Sequence, residues 1–159
     1  MKVFKFGGAS VKNSESIRNI LNIISSYNTN DLIVVVSAMD KTTNALEEVV
    51  KMYLENNQEY IHKVDEIFNF HEGICLDLFP KTHDVFSGLR KLITKIVSLL
   101  KNNKSPNHSF VYDQVVSYGE LISTFIINSY FVDEKLNPNF IDARTVSYTH
   151  LTLPTNSNV

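Results

Sequence analysis

The run Leu32-Ile33-Val34-Val35-Val36 constrains the fold more than any other stretch of this chain. Its apolar, mostly β-branched residues stand in a row without polar alternation. That is the pattern of a strand covered on both faces, and such strands belong to parallel sheets. A parallel strand needs a neighbour joined by a crossover, and the chain supplies one upstream. Val3, Phe4 and Phe6 read as a short buried strand carrying Lys5, with Gly7 and Gly8 directly after it. Asn13 or Ser14 is then placed to cap a helix whose Ile17, Ile20, Leu21 and Ile24 recur at i, i+3, i+4 and i+7. Strand, glycine turn, helix and strand follow in the order of a βαβ unit.

The second strand also leads through a polar loop into a helix. Ser37 to Asn44 reads SAMDKTTN, and Asn44 with Glu47 has capping-box spacing ahead of Ala45, Leu46, Val49, Val50 and Tyr53. Both loops leave the carboxyl ends of their strands, where open α/β sheets bind ligands. Gly7 and Gly8 remove two side chains at that edge, so the backbone can take positive φ and aim amides at phosphoryl oxygens. Lys5 adds a mobile positive charge to the adjacent helix dipole. An ordinary tight βα turn with a solvated lysine carries the same residues, because the segment lacks both GxxxxGK[ST] and GxGxxG.

The middle of the chain predicts a helical pair. Tyr60, Ile61, Val64, Ile67, Phe68, His71, Ile74, Cys75 and Leu78 form one stripe, and Val85, Leu89, Leu92, Ile93, Ile96 and Leu100 form another. Pro80 to Asp84 separates them, and Lys101 to Asn107 reads as an exposed loop. His62, His71, His83 and His108 lack metal-ligand spacing, so no metal residue is assigned and His71 reads as a helix-face residue near the core. From Val111 to Val132 a long apolar face is interrupted by Gly119 and Glu120. A helical glycine costs about 0.5 to 1 kcal/mol against alanine, so Gly119 implies close approach by another backbone or a ligand. Glu120 beside it is either a receptor for an ammonium group or a solvated glutamate. Asn137-Pro138-Asn139 then turns into a further expected strand, Phe140 to Arg144. These elements together predict a three-layer α/β/α sandwich with a mainly parallel central sheet.

Composition narrows the classes of function. A chain of 159 residues is long enough for one core burying roughly 70% of the unfolded surface. A net charge of -2 supplies no basic field, so nucleic acid is not expected as a partner. Leu32 to Val36, the longest uninterrupted apolar run, is too short to span a bilayer. The strand that opens directly after Met1 leaves no room for a leader, so a cytoplasmic protein without a membrane partner is expected. Cys75, the only cysteine, reads as a core residue and suits a reducing compartment.

Four segments in order resemble a known family: KFGGAS at Lys5 to Ser10, VVSAMDKTTN at Val35 to Asn44, VSYGE at Val116 to Glu120 and IDAR at Ile141 to Arg144. Together they are similar to aspartokinase, of the amino-acid kinase superfamily, over residues 1 to 146. Ala9 stands where the family usually has threonine. The resemblance implies ATP-dependent phosphorylation of the side-chain carboxylate of L-aspartate, the first step towards lysine, threonine and methionine. It implies Lys5 as the catalytic charge, Lys5, Phe6, Gly7 and Gly8 as the ATP-phosphate contacts, and Ser37, Thr43 and Glu120 as the aspartate contacts. Mg²⁺ would arrive with the nucleotide, and the parent enzyme would be a homo-oligomer.

The family's kinase domain continues beyond the matched motifs, and residues 147–159 read as a non-native or poorly ordered tail. An alternative therefore stands beside the enzyme reading: an inactive fragment that at most binds phosphate or a partner chain, or another member of the superfamily.

Overall fold

The computed structural model describes residues 1–28 and 31–147. Strand β1 (Lys2–Phe6) pairs in parallel with β2 (Leu32–Val36), Lys5 standing opposite Val35 and Phe6 opposite Val36. Between them a 3-10 turn, Gly8–Val11, leads into α1 (Ser14–Ser25). Asn13 caps α1 by accepting a hydrogen bond from the Ser16 N–H at 2.9 Å, and Ile17, Ile20 and Ile24 are buried, as their spacing predicts.

Alternation along the two strands puts Phe4, Phe6, Leu32, Val34 and Val36 against the helices. Val3, Ile33 and Val35 share the opposite face with Lys5 and are 58%, 43% and 44% exposed. This corrects the expectation of strands covered on both faces. Among the described residues the sheet has two strands, and helices pack on one side only.

Helices α2 (Thr42–Leu54), α3 (Tyr60–Leu78) and α4 (Val85–Asn102) pack in sequence order. The predicted stripes of the α3–α4 pair form the core: Val64, Leu89, Ile96 and Leu100 are all but fully buried. The long apolar segment breaks near Ser117 into α5 (His108–Val116) and α6 (Tyr118–Asp133). By length and composition alone this run could cross a bilayer, but half of its apolar window is buried inside the fold. That burial is what a core helix shows.

Two further expectations are corrected. Helix α2 starts at Thr42, ahead of Asn44, without a side-chain cap. Its start is fixed by the Thr42 N–H donating to the Met39 carbonyl at 2.9 Å and by burial of Thr42, so long-range packing overrides the capping-box signal. Phe140 to Arg144 forms no strand; a short helix α7 (Ala143–Ser147) begins there instead. The Asp142 carboxylate accepts from the Arg144 N–H at 3.0 Å, an arrangement that starts a helix. Residues 148–159, most of the expected tail, lie outside the described residues.

Candidate functional site

The loops that follow β1 and β2 meet at the carboxyl edge of the sheet. The Ser37 N–H donates to the Phe6 carbonyl at 3.0 Å and the Asp40 N–H to the Gly8 carbonyl at 3.3 Å, so the strand ladder continues into the loops. A Cβ on Gly8 would lie 2.9 Å from the Ala38 carbonyl oxygen and 3.2 Å from that of Asp40. Close approach therefore requires glycine at this position. No glycine has positive φ, which corrects the conformational reason expected for Gly7 and Gly8. Within these two loops the left-handed residue is instead Asp40, at φ 44°, a conformation that aspartate tolerates better than most residues. Gly7 differs from its neighbour: a Cβ there would meet nothing within 4 Å and point into open space.

The third motif reaches the same point from the far side. A Cβ on Gly119 would lie 2.8 Å from the Ala38 Cβ and 3.7 Å from the Thr42 methyl carbon. The close approach that a helical glycine implies is thus met by the second loop. Glu120 follows in the first turn of α6, exposed, where the helix dipole favours a carboxylate. The fourth motif closes the cluster. The Arg144 guanidinium stands 5.2 Å from the centre of the Tyr118 ring and grips Asp142 through Nε–Oδ1 at 3.0 Å and Nη2–Oδ2 at 2.7 Å. Those hydrogen bonds hold the Asp142 carboxyl below its ordinary range and raise the guanidinium of Arg144.

Each sequence-predicted site residue falls on this edge or just behind it. Lys5 is exposed on the open face of the sheet and makes no ion pair among the described residues. Phe6, half-buried, ends β1. Ser37 and Thr43, both half-buried, flank the second loop, and the side chains of Ser37, Thr43 and Glu120 have no hydrogen-bond partner among the described residues. A cationic lysine, an exposed glycine, two uncommitted hydroxyls and a carboxylate are groups able to receive an anion together with an ammonium group. Among the described residues no three histidine, cysteine or acidic side chains cluster to hold a metal ion.

Three participants were not singled out in the sequence. Ala38 is the contact point of two motifs, Thr42 is buried beneath the loop, and Tyr118 carries Arg144. The signal for Ala38 is its smallness between two glycine motifs; Tyr118 reads only as part of the apolar face, and Thr42 gives no local signal beyond its place in the second motif.

Comparison with known proteins agrees with this geometry. Residues 1–158 match the Amino acid kinase family, and the chain belongs to that family. Aspartokinase 2, chloroplastic, of Arabidopsis thaliana is 32% identical over 80% of the chain and 24% of its own length. The bifunctional aspartokinase/homoserine dehydrogenase of Buchnera aphidicola is 30% identical over 89% of the chain and 18% of its own length. Among solved structures, E. coli aspartokinase III in complex with aspartate and ADP superposes with a TM-score of 0.75 at 26% identity. That match covers 91% of this chain and 31% of the solved one. The resemblance to aspartokinase and the α/β kinase fold are thereby established, while the chain spans less than a third of each of these relatives.

Proposed function

We propose that this chain is the front part of an aspartokinase, in which ATP phosphorylates the side-chain carboxylate of L-aspartate to give 4-phospho-L-aspartate and ADP. The observation that carries the reading is the convergence of the Gly8, Ala38, Gly119 and Arg144 motifs on one sheet edge. Both reactants are anions, so the site must supply positive charge and fixed dipoles; positioning and electrostatics account for most of phosphoryl-transfer catalysis. A side-chain oxygen of aspartate attacks the γ-phosphorus, and the bond to the bridging oxygen breaks as ADP leaves.

In this reading Lys5 neutralises charge on the transferring phosphoryl group, while the amides of Gly7 and Gly8, beside Phe6, hold the phosphates. Ser37 lines the path between donor and acceptor. Thr43 and Glu120 hold the aspartate, Glu120 through the ammonium group. Mg²⁺ would be carried in by the nucleotide and would offset phosphate charge; no residue is assigned to it. Small-molecule partners, a cytoplasmic location and a homo-oligomeric parent belong to the same proposal.

The test is ADP release by the full-length polypeptide supplied with ATP and aspartate, glutamate, N-acetylglutamate or uridylate, with hydroxamate trapping to detect an acyl phosphate from the carboxylate acceptors. Aspartate alone should yield acyl phosphate; turnover with another acceptor and none with aspartate overturns the assignment. The open face of Val3, Ile33 and Val35 favours a second reading for residues 1–159 taken alone, a fragment that binds phosphate or a partner chain without turnover. The isolated segment should accordingly give no hydroxamate.

A further inference from the structure

His71 is fully buried in the middle of α3, on a helix that contributes none of the motif residues. Its Nδ1 lies 2.7 Å from the Ile67 carbonyl oxygen. A carbonyl only accepts, so Nδ1 carries the hydrogen and Nε2 is left as an acceptor. The polar atom facing Nε2 is the Thr42 hydroxyl, at 3.5 Å. Burial holds the imidazole down, to about 4, so it is neutral at ordinary pH and this tautomer persists.

Thr42 is the buried residue under the second loop. Its N–H donates to Met39, its methyl faces Gly119, and Thr43 follows it directly. It therefore adjoins both residues given to aspartate, Thr43 through the chain and Glu120 through Gly119. A cleft of about 140 Å³, lined by Asp40, Lys41, Thr42, Ala45, Ile67 and Phe70 among others, separates part of the loop from α3. The imidazole bridges α3 to the loop beside that cleft.

We propose that His71 is a positioning residue for the acceptor substrate: by accepting the Thr42 hydroxyl proton it fixes the second loop against α6, and so sets Thr43 and Glu120 at the spacing aspartate needs. This rests on the aspartokinase reading. His71 touches no substrate; it acts through Thr42.

The test uses the full-length protein. His71→Asn keeps an amide to donate to Ile67 but has no atom at the Nε2 position; His71→Gln returns an acceptor there; Thr42→Val removes the hydroxyl at constant shape. His71→Asn and Thr42→Val should each raise the aspartate KM by about fivefold to tenfold, the effect of one lost hydrogen bond, with kcat and the ATP KM within about twofold. The double variant should be no worse than either single one, and His71→Gln should recover most of the affinity. Hydrogen exchange of the Asp40 and Thr42 amides should accelerate in His71→Asn while the α4 amides stay protected.

A His71→Asn protein that loses thermal stability but keeps the wild-type aspartate KM and loop exchange overturns the proposal, as do fully additive effects. A wild-type protein without aspartate-dependent turnover overturns the aspartokinase reading instead. In that event the loop exchange rates still decide whether His71 holds the loop.

Discussion

In the α3–α4 pair, Leu89, Ile96 and Leu100 are sealed among other apolar side chains, and the elements meet through volume. At the carboxyl edge of the sheet, the meeting atoms belong to residues with almost no side chain: Gly8, Ala38 and Gly119. The first arrangement is stabilised by area removed from water and accepts substitutions that conserve size. The second sets the distances between loops, where one added methyl group has no room. Stability and geometry are thus located in different parts of the same small fold, and the site lies where geometry is set.

The comparison can be broken by experiment, beginning with the largest effect. Leu89→Ala should cost about 3 kcal/mol by urea denaturation and leave turnover per folded molecule unchanged. A loss of activity in step with each kcal/mol would mean that the helical pair also sets the site. Gly8→Ala should cost about 2 kcal/mol, because its Cβ would press on backbone oxygen, whereas Gly7→Ala should stay within about 0.5 kcal/mol and weaken only ATP binding. Equal destabilisation of the two would remove the distinction drawn between neighbouring glycines.

His71 joins the two regions, and pH reads it. Its folded value of about 4 lies below the ordinary 6.5, so between those values the unfolded chain binds a proton that the native fold does not. Stability is therefore complete above the unfolded value and falls as pH drops towards 4, by about 2 kcal/mol at pH 5 from this group. His71→Gln should lose that increment in a comparison of melting curves at pH 5 and 7.5. A profile identical to wild type would show that the imidazole is not buried neutral. Smallest in energy are the two charged site residues. Lys5→Ala should cut turnover by more than about tenfold with little change in melting temperature, since Lys5 is exposed. Glu120→Gln should mainly raise the aspartate KM, by about fivefold, and an unmoved KM would detach Glu120 from the ammonium group.

The same contrast explains what could be read from the residues alone. Helical stripes such as Ile17, Ile20 and Ile24 are legible because a buried face imposes a 3.6-residue period on whatever covers it. Gly119 was legible as a close approach, since a glycine inside a helix has a cost that something must offset. Lys5, Gly7, Gly8 and Glu120 stand out from the residue pattern itself, whereas Ser37, Thr43 and the role of each residue come from resemblance and motif order. Much of what stayed illegible depends on partners distant in sequence. The start of α2 is set by the burial of Thr42 between Gly119 and His71 rather than by Asn44, and the outer face of the sheet is open among the described residues although Val3, Ile33 and Val35 on it are apolar. The residues of Phe140 to Arg144 have strand composition, but Asp142 turns them into a helix start.

In the proposed enzyme, four separated motifs form one site for a nucleotide and an amino acid. A crystal structure of the full-length protein with ADP and aspartate tests it most directly. The β-phosphate should lie against the amides of Gly7 and Gly8 with Lys5 beside it, and the aspartate ammonium should meet Glu120 next to Thr43. Aspartate bound away from Glu120, or phosphates held at an edge other than Gly7 and Gly8, would contradict it.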